Sequence, residues 1–274
     1  MKKTIISLQK QKEKKEKITM ATSYEYSSAK MLDDLDIDMI LIGDSLGMVV
    51  LGYEDTLSVS MEDMIYHSLA VSRAVKKAFL VADLPFMSYQ TSVHSAVENA
   101  GRLLKQGRAN AVKLEGGSEF APHIEAISKA FIPVMAHIGL APQAIHTLGG
   151  YKVQGKDEDR ALKIIQDAKI AEKSGAFALL LECIPQELAK KITEEVSIPT
   201  IGIGAGKYCD GQVLVWHDII GLNTEFKPKF VKHFLDVSEG IKTYIKEVRS
   251  GEFPAQEHSF SMDNRFFEKL YEGK

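Results

Sequence analysis

The chain has 274 residues, 45% of them hydrophobic, which is enough for a substantial core in one large domain or two small ones. Its formal charge of −3 argues against nucleic acid or an anionic membrane as the main partner, and no apolar run approaches the ~20 residues that span a bilayer. The two cysteines, Cys183 and Cys209, form no CxxC pair, so there is no disulfide framework or thiolate zinc site, and a reducing, cytoplasmic setting is expected.

In chain order, Met1 to Lys17 is rich in lysine but lacks the apolar core of a signal peptide. It reads as a solvated helix whose Ile5, Ile6 and Leu8 touch the body of the fold. Ile18 to Thr22 is a first short strand and Ser27 to Leu35 a helix. Met39 to Ile42 is an apolar run of strand length that stops at Gly43, with Asp44 and Ser45 just beyond it. A glycine-containing loop follows, and Ser60 is placed to cap a helix from Met61 to about Lys77. Phe79 to Asp83 is the third strand. A helix from about Val93 to Gln106 leads to the fourth, Ala111 to Glu115, and Ala121 to Ala130 to the fifth, Pro133 to His137. Residues 139 to 155 form a long loop, a length that is usually functional. Asp157 to Ser174 has helical spacing, Phe177 to Glu182 is the sixth strand, and Pro185 opens a helix through Glu195. Pro199 to Ile203 and Val213 to Trp216 are the last two strands, the latter ending at His217. From Lys227 onward a helix is expected from Phe230 to about Val248, then a polar tail.

Eight strands alternating with helices predict a single (β/α)8 barrel domain over residues 1–274, with an N-terminal helix and a C-terminal helical extension. In such barrels the C-terminal strand ends face the active site. Asp44, Asp83, Glu115, His137 and Glu182 all stand at or just past such ends, so five residues far apart in sequence converge on one mouth.

Asp44, Asp83 and Glu115 together would repel one another, and a divalent cation relieves that cost. All-oxygen donors favour Mg²⁺ or a similar hard ion. The alternative is that each caps a helix or pairs with a lysine. Lys113 shares the inward face of its strand with Glu115 and needs an anion, either a neighbouring carboxylate or a substrate's. Ser45 would ordinarily be a helix or turn cap, and only its neighbour lends it functional weight. Glu182 ends a purely apolar strand, where a carboxylate's pKa rises towards general-base duty; the alternative is a structural glutamate. His137 either orients substrate or is a satisfied barrel histidine. Gly202-Ile-Gly-Ala-Gly206-Lys207 matches neither a dinucleotide fingerprint nor a P-loop. Those glycines are expected to permit a tight loop, with possible room for a ligand.

Several stretches carry a resemblance: Ala21-Thr-Ser-Tyr-Glu-Tyr26, Ile42-Gly-Asp-Ser-Leu-Gly-Met48, Ala82-Asp-Leu-Pro-Phe-Met87, Val112-Lys-Leu-Glu-Gly-Gly117, His137-Ile-Gly-Leu-Ala-Pro-Gln143, Gly149-Gly-Tyr-Lys-Val-Gln-Gly155, Leu181-Glu-Cys-Ile-Pro185, Ile201-Gly-Ile-Gly-Ala-Gly206 and Glu257-His-Ser-Phe260. Over nearly its whole length the chain resembles the ketopantoate hydroxymethyltransferase family. The resemblance implies a barrel related to the phosphoenolpyruvate mutase and isocitrate lyase group. It implies transfer of a hydroxymethyl unit from 5,10-methylenetetrahydrofolate to 3-methyl-2-oxobutanoate, the first committed step towards pantothenate. Carried over residue by residue, the magnesium carboxylates are Asp44, Asp83 and Glu115. The substrate contacts are Asp44, Ser45, Asp83 and Lys113, with His137 beside them, and the proton acceptor is Glu182. Large homo-oligomers, commonly decamers, are also implied. The departures are peripheral: Tyr24-Glu25 stands where the family usually has Tyr-Asp, and the tail after Phe260 is long. Two rival readings remain. A lyase of the isocitrate lyase group would carry a Lys-Lys-Cys-Gly-His motif, which this chain lacks. A non-catalytic metal- or folate-binding relative would not need Glu182 and Lys113.

Overall fold

The computed structural model describes residues 2–223, 228–264 and 270. Among them eight short strands close into a barrel in sequence order: β1 (Ile18–Thr22), β2 (Met39–Ile42), β3 (Phe79–Asp83), β4 (Ala111–Glu115), β5 (Val134–Gly139), β6 (Ala178–Glu182), β7 (Thr200–Ile203) and β8 (Gly211–Leu214). Neighbouring strands are parallel, and β8 returns to β1 with Ile18 opposite Gly211. Parallel neighbours need long crossovers, which the intervening helices supply. The helix Met61–Ala74 starts where the Ser60 side chain accepts from the Asp63 N–H and Asp63 accepts in return from Ser60. Ser92 and Asp157 cap Val93–Lys105 and Glu158–Lys173 in the same sense.

Side chains alternate across each strand, and this splits the core in two. Ile40 and Ile42, Leu80 and Ala82, Val112 and Leu114, and Leu179 and Leu181 face outward onto the helices. Met39 and Leu41, Phe79 and Val81, Ala111, Met135, Ala178 and Leu180 fill the barrel with Ile18, Met20, Ile201 and Val213. Leu8 of the N-terminal helix (Ile5–Glu13) joins that inner cluster. The inward set continues along the strands to Asp83, Lys113, Glu115, His137 and Glu182.

Four expectations shift. Of Ile5, Ile6 and Leu8 only Leu8 is buried, because the helix docks along one stripe with Ile6 facing away from it and Ile5 at its flank. The last strand runs two residues earlier than expected, Gly211–Leu214, and Trp216–Ile219 is a short helix. Gly211 explains the register. A Cβ there would stand 2.4 Å from the Ile18 carbonyl oxygen and 2.6 Å from Ile201 Cδ1, so glycine marks the tight closure of the barrel. The C-terminal helix is Val237–Ser250, capped by Asp236, and Phe230 lies in a turn before it. Its exposed Ile241, Tyr244 and Ile245 form an apolar stripe, and none of its residues is buried. The expected start of that segment at Lys227, and residues 265–269 and 271–274 of the tail, lie outside the described residues. In the long 139–155 loop a 3-10 turn, Pro142–Ala144, and a short helix, Ile145–Leu148, replace irregular chain.

Candidate active site at the barrel mouth

Strand register assembles the charged cluster. Asp83 lies opposite Lys113, and Glu115 opposite His137. Lys113 Nζ is 3.2 Å from Asp83 Oδ1, 4.0 Å from Glu115 Oε1 and 3.1 Å from His137 Nδ1. On its other side His137 Nε2 lies 3.2 Å from Glu182 Oε2, off the axis of a hydrogen bond. Asp44, past the end of β2, donates its backbone N–H to Asp83 Oδ2. Asp44, Asp83, Lys113, Glu115 and His137 are all buried, while the Glu182 side chain, 16% exposed, is more open. Together with Ser45 they line a cavity of about 750 Å³ at the mouth.

Charge sets the protonation states. Burial raises the Asp44 carboxyl well above its ordinary range, and the charges of Asp83 and Glu115 add to the rise. Asp83 is also raised by burial, with Lys113 opposing. Glu115 goes the other way: burial pushes it up, but His137, Lys113 and the Gln143 N–H outweigh that and hold it ionised. Burial would discharge Lys113, yet Asp83, Glu115 and Asp44 keep its ammonium charged. At His137 burial and Lys113 favour the neutral ring, but Glu115 and Glu182 lift its pKa to about 9. The contact with Lys113 opposes that lift, because an ammonium hydrogen bond needs a lone pair on Nδ1. The Lys113 contact and the two glutamates thus favour opposite forms of the ring.

The cluster sets four carboxyl groups, Asp44, Asp83, Glu115 and Glu182, against one lysine and one imidazole, and Asp83 Oδ1 has the Lys113 ammonium 3.2 Å away, off the axis of a hydrogen bond. Oxygen donors whose ionisation is opposed by burial and by one another fit a hard divalent cation, which would favour their charged forms. Among the described residues no three His, Cys, Asp or Glu side chains form a closed ion cage. Magnesium does not require one, since it usually takes one or two carboxylates and completes its shell with water and substrate oxygens.

The geometry bears on three of the local alternatives. Ser45 makes no helix-cap bond; its Oγ instead pairs with the Tyr24 hydroxyl at 2.8 Å. Asp83 does pair with a lysine, as one alternative had it. The glycines in and after β7 make room for the protein's own side chains: Cβ atoms at Gly202, Gly204 and Gly206 would meet Cys209, Phe230 with Cys183, and Gln186.

One residue that sequence reasoning passed over is central. Gln143, from the long loop, donates Nε2–H to Asp44 Oδ2 at 2.8 Å and to the Leu84 carbonyl, while its backbone N–H donates to Glu115 Oε2 at 2.9 Å. Its Oε1 accepts from the Tyr89 hydroxyl and Gln90. The Tyr89 hydroxyl also accepts from the Glu115 N–H. The available signal was a polar, uncharged side chain in a loop too long to be a simple connection.

Comparison with solved structures places the architecture. A phosphonopyruvate hydrolase complexed with oxalate and Mg++ has a TM-score of 0.65 at 13% identity, covering 99% of this chain and 96% of that one. A 2,3-dimethylmalate lyase, a PEP mutase/isocitrate lyase superfamily member, has a TM-score of 0.62 at 15% identity over 100% of both chains. The molecule is a closed (β/α)8 barrel, similar in fold to both of these structures, with a charged site at the C-terminal rim.

Sequence comparison then narrows the class to one family. Residues 2–256 match the family model described as ketopantoate hydroxymethyltransferase. The 3-methyl-2-oxobutanoate hydroxymethyltransferase of Clostridium novyi (strain NT) is 60% identical over 99% of this chain and 100% of its own. That of Campylobacter jejuni (strain RM1221) is 57% identical over the same shares. The chain belongs to the ketopantoate hydroxymethyltransferase family, and it is an enzyme.

Proposed function

We propose that the enzyme transfers a hydroxymethyl group from 5,10-methylenetetrahydrofolate to 3-methyl-2-oxobutanoate, forming ketopantoate on the way to pantothenate in the cytoplasm. The observation that carries this reading is the line of contacts from Asp83 through Lys113 and His137 to Glu182. It sets a fixed positive charge and a more open carboxylate in one cavity. The Lys113 ammonium and the Ser45 hydroxyl, held by Tyr24, bind the carboxylate end of the 2-oxo acid. Asp44, Asp83 and Glu115 would hold a magnesium ion, which supplies positive charge where the enolate oxygen develops. The oxalate and Mg++ of the phosphonopyruvate hydrolase support the pairing of a small α-dioxo anion with such an ion in this fold. Glu182 takes the C3 proton, and its place beside His137 Nε2 keeps the carboxylate aimed at the cavity. The bond from the one-carbon unit to N10 opens to give the N5 iminium form, C3 bonds to that carbon, and the bond to N5 breaks as water supplies the hydroxyl oxygen; the C3 proton and one proton of water end on the two folate nitrogens.

Incubating the protein with Mg²⁺, the 2-oxo acid and 5,10-methylenetetrahydrofolate should yield ketopantoate. Exchange of the C3 hydrogen in D₂O isolates the first step. Glu182→Gln should slow it about 10²–10⁴-fold while the 2-oxo acid still binds. Exchange at the wild-type rate would move the base elsewhere, His137 being the nearest candidate. The reading includes a homo-oligomer, supported by the apolar stripe of Ile241, Tyr244 and Ile245; a monomer in sedimentation at micromolar concentration would count against it.

A further inference from the structure

The cavity has two unlike halves. The charged cluster occupies the β2–β6 side, and the remainder is walled by Ile203, Val213, Val215 and Phe230 around His217 and Asp218. These come from the β7–β8 side of the mouth, and Glu182 on β6 stands between the halves. Phe230 packs where a Cβ on Gly204 would be, 2.9 Å from its Cδ1, and the same Cβ would lie 3.0 Å from the sulfur of Cys183, the residue after Glu182. An aromatic, apolar pocket beside the proton acceptor suits a flat heterocycle bearing the carbon to be transferred.

Asp218 is out of place in such surroundings. It is 7% exposed, and apart from the exposed Lys229 it is the charged residue of that half among the described residues. Its Oδ1 has no hydrogen-bond partner, and neither has the buried Nδ1 of the adjacent His217. Burial raises the Asp218 carboxyl, with Asn223 and His233 opposing, and lowers the His217 imidazole. Unmet buried polar atoms are costly, and two on consecutive residues that line one cavity call for a ligand of matching polarity.

We propose that Asp218 is the carboxylate that recognises the 2-amino-4-oxopyrimidine edge of the donor's pterin. The inference rests on the folate-donor reading above. That edge presents two adjacent donors, the ring N3–H and the exocyclic amine, which match the two oxygens of one carboxylate. The neighbouring pterin carbonyl accepts from the imidazole of His217. Phe230 and the valines cover the ring face, which leaves the one-carbon unit on the Glu182 side.

The test uses the intact protein and its single tryptophan, Trp216, in the same short helix as Asp218. Quenching of its fluorescence is titrated with tetrahydrofolate and with the 2-desamino-2-methyl analogue, which lacks one of the two donors. A site built to hydrogen-bond a ligand group rejects the analogue without it, so the wild type should prefer tetrahydrofolate by at least about 30-fold. Asp218→Asn, which keeps the shape but turns one acceptor into a donor, should weaken tetrahydrofolate binding about as much and reduce that preference to less than about threefold. Asp218→Ser serves as a second variant, and unchanged thermal melting of either one shows that the fold is kept. An undiminished preference in a folded variant overturns the assignment of Asp218 and leaves the folate reading intact. A wild type that binds no tetrahydrofolate, yet exchanges the C3 hydrogen of the 2-oxo acid, overturns the folate reading and this inference with it.

Discussion

The floor and the rim of the barrel interior are built on the same strands by the same alternation, yet they have opposite chemistry. On the floor, Ile18, Met39, Phe79 and Ala111 meet Leu8 of the N-terminal helix, and every side chain is apolar and buried. Two to four residues further along, the same inward positions hold Asp83, Lys113, Glu115, His137 and Glu182. The floor stabilises the closed barrel by burial, which offsets chain entropy. The rim works against it, because burying like-charged carboxylates costs stability. Stability and chemistry are therefore separated by one or two strand repeats, and substitutions at the two ends should separate as well.

The largest effect should come from breaking the floor. Phe79→Ala removes a ring packed edge-on against Phe177, with centroids 5.5 Å apart, and leaves a cavity the closed barrel cannot fill. It should cost about 3–5 kcal/mol in denaturant unfolding and leave the C3 exchange rate of the still-folded protein unchanged. Glu182→Gln should do the reverse, with wild-type melting and crippled exchange. Overlapping stability losses in the two variants would break the comparison.

Gln143→Leu sharpens the rim. Residues that orient metal-binding carboxylates typically account for 10–100-fold in affinity. Calorimetry with Mg²⁺ in the presence of the 2-oxo acid should therefore show a loss in that range. An affinity equal to the wild type would make Gln143 a mere loop anchor.

The smallest effect concerns a carboxylate outside the barrel. Asp33 is buried and accepts the backbone N–H groups of Lys76, Lys77 and Ala78 at 2.8–2.9 Å, fixing the turn into β3. Burial raises its pKa, but the three N–H groups outweigh it, so the folded-state pKa is depressed. A depressed carboxylate contributes stability above its unfolded pKa, about 3.9, and loses it as pH falls through the folded value. Asp33→Asn should thus cost about 1 kcal/mol at pH 7, with a gap to the wild type that narrows below about pH 4. A gap constant from pH 7 to pH 3 would rule out the ionised form as its source.

What was legible in the sequence follows from periodicity. Strand runs that stop on Asp83, Glu115 or Glu182 point a reader to the mouth, and the two-residue spacing of Lys113 and Glu115 places both inward. Gln143 was not legible, because its role depends on a loop folding back over strands far away in sequence, and neither charge nor spacing marks it. The start of β8 was missed because Gly211 reads as a breaker, whereas its lack of a side chain is what admits it beside Ile18 and Ile201. Asp218 was hidden for a related reason: the helix Trp216–Ile219 was read in part as strand. The C-terminal helix was placed too early because the apolar Phe230 and Val231 resemble the start of a helical stripe, while Asp236 supplies the cap.

The pairing of β1 with β8 has a consequence for biosynthesis. On the edge away from β2, Ile18 to Ala21 find their partners at Gly211 to Leu214, some 190 residues later. Lys12 of the N-terminal helix forms its ion pair with Asp210, at 2.8 Å, on the far side of that same gap. While the chain emerges from the ribosome, its first strand has one free edge and its first helix has no floor to seal until nearly the whole barrel has been synthesised. Contacts this distant in sequence form slowly. The N-terminal segment is the first to be made, yet it can complete its contacts only once residues 210–214 exist, although Lys3 and Gln11 can reach Asp38 much earlier.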